Sequence, residues 1–459
     1  MRKLKYTSIF IIVFFLIQTK SSLAFNLKYG KVIDNSNSHV VIKYVGIEKS
    51  DRYLCSIATM ECAPTNINMT PQNLKSGKKR IKEIDFFREE DIQTNIFDIN
   101  SYNTLKDFKY DATNSFYISN TKDDPYNWQL HHADTFRDTD EVVASNVSYV
   151  DEIKKVSTGV VFNVLQKDGY GPAVYNVAKK EVEYFKIPNI QNYFLNTIEK
   201  VVTIEKNYAV IMEPTNMDKD KNYPLVIWLH GGPPRQASFI YHPYLSYGTY
   251  DSILQLLQKN NVIVIKLDYR GSFGYGQDYI DSIKGQIGKG DVTDVMDTIK
   301  YMRANYDIDK VYLMGNSYGG YLSLKTLVEN PNDVAGVLSI NGVTDWESLM
   351  KFYKKTPFHD AFNGPPNKGN KDLYQQANIT NKIKNLDKQK IKIIQGTSDK
   401  TVQPWQADLL FRKLKTARKN VSLKKYKGQD HVFTSKKVIT DLCAQMLSFT
   451  NVTNTKDCK

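Results

Sequence analysis

A serine set between glycines, Gly315-Asn316-Ser317-Tyr318-Gly319, is the pattern in this chain best suited to do chemistry. It follows an apolar run, Val311 to Met314, that reads as a strand, and it precedes a helix-like segment, Tyr321 to Glu329. Strand, G-x-S-x-G, helix is the context of a nucleophile elbow, a sharp turn that lifts the serine hydroxyl clear of the backbone. Glycine suits Gly315 and Gly319 because such a turn leaves no room for a side chain. The backbone N–H of Tyr318 would then face an oxyanion forming beside Ser317. A serine hydroxyl is a weak nucleophile at neutral pH, so it needs a base, and the base needs an orienting acid.

In this architecture the partners follow in the order Ser, Asp, His. Ile391 to Ile394 reads as a buried strand that runs into Gln395-Gly396-Thr397-Ser398-Asp399. Val421 to Tyr426 reads as another, leading into Lys427-Gly428-Gln429-Asp430-His431. Both candidates fall at the carboxyl ends of strands, where open α/β sheets assemble their sites. Ser317 is therefore expected as nucleophile, His431 as general base and Asp399 as its orienter. Asp399 is also placed to cap a helix starting near Gln403. Asp430, adjacent to His431, cannot easily reach its ring and reads as a solvated loop charge. Upstream, the strand Pro224 to Leu229 enters His230-Gly231-Gly232-Pro233-Pro234, an H-G-G loop of the kind that supplies the second oxyanion N–H. Gly232 is the expected donor and His230 a structural support. The other histidines, His39, His131, His132, His242 and His359, show no ligand spacing, so no metal and no cofactor is expected.

These pieces together resemble the prolyl oligopeptidase family of serine peptidases, nearest its acylaminoacyl-peptidase and dipeptidyl-peptidase branches. The matching residues are the His230-Gly231-Gly232-Pro233 loop, Asp268-Tyr269-Arg270-Gly271-Ser272 with Gly274-Tyr275-Gly276, Asp291-Val292 through Asp294-Val295, the Ser317 elbow, Asp399 and His431. The likeness covers about residues 200 to 452. It implies the same triad, with oxyanion contacts from Gly232 and Tyr318, and a bracing role for Arg270. Members of the family carry an N-terminal β-propeller over the active site. Residues 25 to 200 are too few for seven or eight blades of roughly 40–50 residues each. A reduced β domain of a few blade-like sheets is expected instead. Some branches hold a free α-amino group with paired glutamates, and Glu89-Glu90 is the adjacent pair in this chain.

The elements that must position the site divide into two regions. In residues 25–200, short apolar and aromatic runs recur between turn residues: His39 to Gly46, Arg52 to Ala58, Ser115 to Ser119, Gly159 to Leu165, Ala173 to Val177 and Val182 to Ile187. Thr104 to Ala112 and Ile81 to Ile92 are ambiguous. In residues 201–459, strands at Asn207 to Glu213, Leu225 to Leu229, Val262 to Leu267, Val311 to Met314 and Val334 to Ile340 alternate with helical patterns. The helices are expected at Asp291 to Asn305, Gln403 to Ala417 and Lys437 to Phe449. That alternation implies an α/β class fold, an α/β-hydrolase with a doubly wound, mostly parallel sheet. The polar and aromatic stretch Trp346 to Asn385 is a candidate lid. Phe239, Tyr241, Tyr244, Trp346 and Phe352 are candidates for an apolar pocket.

The first residues read as an export signal. Arg2, Lys3 and Lys5 precede a short apolar core, Ile9 to Ile17, and Ser22-Leu23-Ala24 offers small residues for cleavage after Ala24. The expected division is a signal peptide at 1–24, a β-rich domain at 25–200 and a catalytic domain at 201–459. The apolar core is short for a membrane span, and no later segment reaches that length, so a secreted or periplasmic protein is expected, an uncleaved anchor being the alternative. Four cysteines fit an oxidising compartment. Pairing Cys55 with Cys62 and Cys443 with Cys458 is the simplest of three connectivities, free or buried thiols being the alternative. The formal charge of +13 is spread over scattered lysines, no nucleic-acid motif accompanies it, and no nucleic-acid partner is expected. The leading function is hydrolysis of short peptides. A carboxylesterase and a non-catalytic binding protein on the same fold are the alternatives.

Overall fold

The computed structural model describes most of residues 104–458 and, before them, the strands within 29–64. Residues 1–28, 65–103, 186–197, 239–241, 243–244 and 459, with a few shorter breaks, lie outside the described residues. The expected signal peptide, Ile81 to Ile92 and Glu89-Glu90 therefore fall outside them, as do Phe239, Tyr241 and Tyr244.

The first twelve strands form three antiparallel sheets of four. β1 to β4 are Tyr29–Asn35, His39–Val45, Ser50–Ser56 and Cys62–Pro64. β5 to β8 are Thr104–Lys109, Asn114–Ser119, Gln129–Asp134 and Thr139–Ser145. β9 to β12 are Lys154–Val156, Gly159–Gln166, Gly169–Asn176 and Glu181–Tyr184. Each sheet is a simple meander, with every strand paired to its neighbour in sequence. The ambiguous Thr104 stretch is thus a strand. A shared core of Phe116, Ile118, Trp128, Leu130, Phe162 and Tyr175 fills the space between the second and third sheets. Phe273, from the later part of the chain that builds the eight-stranded sheet, inserts into that core.

The eight remaining strands build one sheet: β13 (Ile198–Ile204), β14 (Asn207–Glu213), β15 (Tyr223–Leu229), β16 (Ile263–Asp268), β17 (Ile308–Asn316), β18 (Gly336–Ile340), β19 (Lys390–Gly396) and β20 (Val421–Tyr426). Their spatial order is 13-14-16-15-17-18-19-20. β13 and β14 join antiparallel, and the pairings from β16 through β20 are parallel. The central strands are buried on both faces, which is why they read as unbroken apolar runs rather than alternating ones. Alternate side chains nonetheless serve different layers. Leu225, Ile227 and Leu229 pack with the helices Gly290–Asn305, Tyr318–Glu329 and Trp405–Thr416. Val226 and Trp228 pack on the other side with Leu245–Lys259 and Lys436–Phe449. Helices on both faces of a mostly parallel sheet are the expected doubly wound α/β-hydrolase fold, preceded by a β-rich region.

Two features depart from expectation. The Trp346 to Asn385 stretch does not stand apart as a polar lid. Trp346, Leu349, Met350, Phe362, Tyr374 and Ile379 are buried in the main core. Asp345 caps the helix Trp346–Phe352 by accepting from the Ser348 backbone N–H at 3.1 Å. Also, β13 pairs with β14 as an edge hairpin at the antiparallel end of the sheet. A disulfide joins Cys443 to Cys458 and ties the last turn of the chain to a core helix. Cys55 and Cys62 are register partners in the β3–β4 ladder.

Candidate active site

The site forms where β17 ends. Ser317 takes φ 53° and ψ −119° between the strand and the helix Tyr318–Glu329. That conformation is costly for a residue with a Cβ, roughly 1–3 kcal/mol, and persists where surroundings enforce it. Here the Ser317 N–H donates to the Ile340 carbonyl at 2.8 Å, and its own carbonyl accepts from the Tyr321 N–H at 3.1 Å. The helix also starts hard against β15. A Cβ at Gly319 would lie 1.9 Å from the Leu229 carbonyl oxygen, so only glycine allows the elbow to seat. The helix begins at Tyr318, directly after the serine, three residues earlier than its sequence suggests.

Tyr318 occupies the first helical position, where a backbone N–H has no partner within its own helix. Its side chain is locked. The ring lies among Tyr269, Trp346 and Phe358, with centroids 5.4, 5.7 and 6.0 Å away. Its hydroxyl donates to Asp291 Oδ2 at 2.6 Å. Burial pushes the Asp291 carboxyl up from 3.8 to about 6. Between those values the folded protein holds a proton that the unfolded chain has released. The contribution of Asp291 to stability is therefore full below about 4 and declines as pH rises to about 6. Asp291→Asn should flatten that part of the curve. In urea titrations the wild type should lose stability from pH 4 to 6 relative to the variant, and parallel curves would refute the assignment.

The loop after β15 lies against Ser317. A Cβ at Gly231 would sit 3.1 Å from the Ser317 Cβ. Gly232 follows at φ +110°, a backbone conformation open to glycine and strained for other residues. His230, 1% exposed, shores up the loop as expected. Its Nδ1 lies 2.7 Å from the Gly231 carbonyl oxygen, and its Nε2 lies 3.0 Å from Asp268 Oδ1 and 3.1 Å from Ser272 Oγ.

The structure brings Asp399 and His431 together, although 31 residues separate them in sequence. His431 Nδ1 donates to Asp399 Oδ2 at 2.9 Å, with both side chains nearly inaccessible to solvent. That proton on Nδ1 makes Nε2 the basic nitrogen. Asp399 is held from every side. Gln395 Nε2 donates to the same oxygen at 3.1 Å. The Thr401 and Val402 N–H groups donate to Oδ1 at 2.9 and 2.8 Å. Asp399 thus shapes the turn ahead of the helix Trp405–Thr416 without capping it, since Pro404 occupies the cap position. Asp430 is also more than a solvated charge. Its Oδ1 accepts from the Lys400 and His431 backbone N–H groups at 2.9 and 2.8 Å, clamping one loop to the other.

Sequence reasoning missed Asn341. It follows β18, is 1% exposed and adopts φ 47°. Its N–H donates to the Ile394 carbonyl at 2.8 Å. Its Oδ1 accepts from the Gly396 N–H at 2.8 Å, and its Nδ2 donates to the His431 carbonyl at 2.7 Å. The preceding residue, Ile340, is the one that accepts from Ser317. The pair Ile340-Asn341 therefore joins the serine elbow, the aspartate loop and the histidine loop. A lone Asn at the end of an apolar strand was the only visible signal, since Asn tolerates left-handed backbone. Asn341→Ala should lower kcat on the order of 10²-fold, the cost of an ångström-scale misplacement of a catalytic group. Steady-state kinetics check it, and an unchanged kcat would remove Asn341 from the positioning set.

Arg270 braces the framework, as expected. Its guanidinium grips Asp294 with bonds of 2.8 and 2.7 Å. Of the proposed pocket residues described, Trp346 packs behind Tyr318, whereas Phe352 is 61% exposed and lines nothing buried. Among the described residues no group of side chains is arranged to hold a metal, and no helix is long and apolar enough to cross a membrane.

A serine on a strained elbow, a buried Asp–His pair and a glycine loop thus sit at one edge of a doubly wound α/β-hydrolase sheet. Residues 248–456 match the prolyl oligopeptidase family. Acylamino-acid-releasing enzyme from Mus musculus is 32% identical over 144 residues, covering 31% of this chain and 18% of that one. Dipeptidyl peptidase 4 from Sus scrofa is 27% identical over 232 residues, covering 50% of this chain and 29% of that one. The matched regions span less than a third of these relatives. In fold, a dipeptidyl peptidase 4 structure from Porphyromonas gingivalis superposes with a TM-score of 0.64 at 15% identity, over 92% of this chain and 63% of that one. The likeness of fold therefore reaches into the β-rich region.

Proposed function

We propose that this protein is a secreted or periplasmic serine peptidase that hydrolyses peptide bonds of short peptides through an acyl-enzyme. His431 Nε2 takes the proton of Ser317 Oγ as that oxygen attacks the scissile carbonyl. The N–H groups of Gly232 and Tyr318 donate to the oxyanion that forms. The imidazolium, steadied by Asp399, then gives its proton to the leaving amine. Water repeats the sequence against the ester and frees the serine. The observation that carries this reading is the buried 2.9 Å bond between His431 and Asp399, on loops that the pair Ile340-Asn341 ties to the elbow. The family of residues 248–456 supplies the peptide substrate class. The division into a leader at 1–24, a β-rich domain at 25–200 and a catalytic domain at 201–459 belongs to the same proposal.

A fluorophosphonate probe tests the chemistry. The mature chain should label and Ser317→Ala should not. Equal labelling of the two would favour a binding protein, and a panel of peptides and esters then separates a peptidase from a carboxylesterase. Export has its own check. The cysteine pairing Cys443–Cys458 suits an oxidising compartment. Thiol titration of the unreduced, denatured mature protein should find almost no free cysteine. Four reactive thiols would overturn the export reading.

A further inference from the structure

The β-rich region does more than stand beside the catalytic domain. One of its turns, between β6 and β7, enters the framework behind the glycine loop. Tyr126 is 9% exposed, and its hydroxyl donates to Asp268 Oδ2 at 2.8 Å. Asp268 is fully buried, and its other oxygen lies 3.0 Å from His230 Nε2 and accepts from the Ala237 N–H at 2.7 Å. His230 in turn contacts the Gly231 carbonyl oxygen at 2.7 Å. A continuous polar chain thus runs from Tyr126 through Asp268 and His230 to the residue that lies against Ser317.

The same turn grips the loop at a second place. Trp128 Nε1 donates to Gln236 Oε1 at 2.9 Å, and Gln236 Nε2 donates to the Pro125 carbonyl at 2.9 Å. A third grip falls on the neighbouring loop. Asn120 Nδ2 donates to the Gly274 carbonyl at 2.9 Å, and the Phe273 ring stacks on Trp128 with centroids 5.4 Å apart. The Phe273 N–H donates to the Arg235 carbonyl at 2.8 Å, so the two gripped loops also hold each other. Buried bonds that satisfy both partners fix one geometry, because breaking any of them strands a polar group away from water.

We propose that Asn120 and Pro125 to Trp128 act as a positioning strap: through Tyr126 and Trp128, the β-rich region sets the register of the His230–Gly232 loop against Ser317. The inference rests on the reading of that loop as an oxyanion site. Neither residue touches substrate. Each acts on where the loop's N–H groups point, and an oxyanion donor works only when aimed at the position the charge will occupy. The hydrolase fold on its own leaves that loop without its outer supports.

The test uses the full chain carrying Tyr126→Phe, then Tyr126→Phe with Trp128→Phe, assayed with a chromogenic peptide substrate and a boronic acid that mimics the tetrahedral intermediate. Loss of one oxyanion donor costs about 10²–10³ in kcat, so partial misalignment should cost about tenfold for the single variant and about 100-fold for the double. Affinity for the boronic acid should fall by the same factors. KM should hold within about twofold, and the pH midpoint of kcat/KM should not move, since His431 and Asp399 are untouched. A merely structural role would lower the melting temperature and leave the kcat of the remaining folded protein intact. The strap is overturned if both variants keep wild-type kcat and boronic acid affinity, or if KM rises while kcat holds. Should the double variant fail to fold, Tyr126→Phe decides alone, because its ring remains and Tyr275 keeps the same Asp268 oxygen bonded at 2.5 Å. Absence of Ser317-dependent turnover in the wild type would instead sink the reading of the site itself.

Discussion

Ser317→Ala should reduce kcat by about 10⁶-fold, the scale seen when a triad nucleophile is removed. Substrate should still bind, because nothing else in the site is disturbed. The elbow geometry does not depend on the hydroxyl. Its φ of 53° is enforced by the bond from the Ser317 N–H to the Ile340 carbonyl and by the fit of Gly319 against Leu229, and alanine keeps both. Single-turnover assays with a chromogenic ester, alongside binding of a product peptide, measure the two quantities separately. A variant that retained more than a small fraction of its activity would place the nucleophile elsewhere. The residual rate, roughly 10³–10⁴ above water, would then report what the oxyanion donors and binding supply without the serine.

Asp399→Asn should cost about 10⁴-fold in kcat, near 5.5 kcal/mol of transition-state stabilisation at 1.36 kcal/mol per decade. The physical cause is specific. The carboxylate accepts from His431 Nδ1, which leaves Nε2 basic. An asparagine amide can present its own N–H to Nδ1, and the ring then takes the other tautomer, with its proton pointing at Ser317. The carboxamide also carries a donor where Gln395 Nε2 or the Thr401 and Val402 N–H groups need an acceptor. Some loss of stability should therefore accompany the loss of rate. The pH profile separates the two: activity should partly recover in alkaline solution as deprotonation restores a base, while the melting temperature does not. A fall of tenfold or less would show that another group orients His431. Asp430 is the neighbouring carboxylate, yet its Oδ1 is engaged by backbone N–H groups of Lys400 and His431.

The two experiments bear on different parts of one relay, whereas changes at Asn341, Tyr126 and Trp128 address its alignment. Rate is lost in every case, but the accompanying signatures differ. Removing the serine spares binding, changing the aspartate shifts the pH profile, and loosening the strap weakens a transition-state mimic more than a substrate.

The chain alone determined a good deal. Strands that cross the middle of a sheet are buried on both faces, so Leu225 to Leu229 and Ile263 to Leu267 had to be continuous apolar runs. An elbow needs glycines flanking its serine, and Gly315 and Gly319 are readable without coordinates. The order Ser317, Asp399, His431 could be read because each residue follows a strand, and parallel strands in one sheet end on the same edge. The short apolar and aromatic runs between turn residues in the first region likewise read as strands. What could not be read were contacts between segments distant in sequence. The amide of Asn341 spans 55 residues to Gly396 and 90 to His431, and Tyr126 reaches Asp268 across 142. Hydrophobic period and turn chemistry report on local backbone, whereas a single buried hydrogen bond leaves no period behind it. The tertiary fold also reassigned residues whose type was ambiguous: Asp430 became a clamp, Trp346 a core side chain and Phe352 an exposed one. Composition limits which side chains are available to be buried, but only the packed chain decides which of them meet.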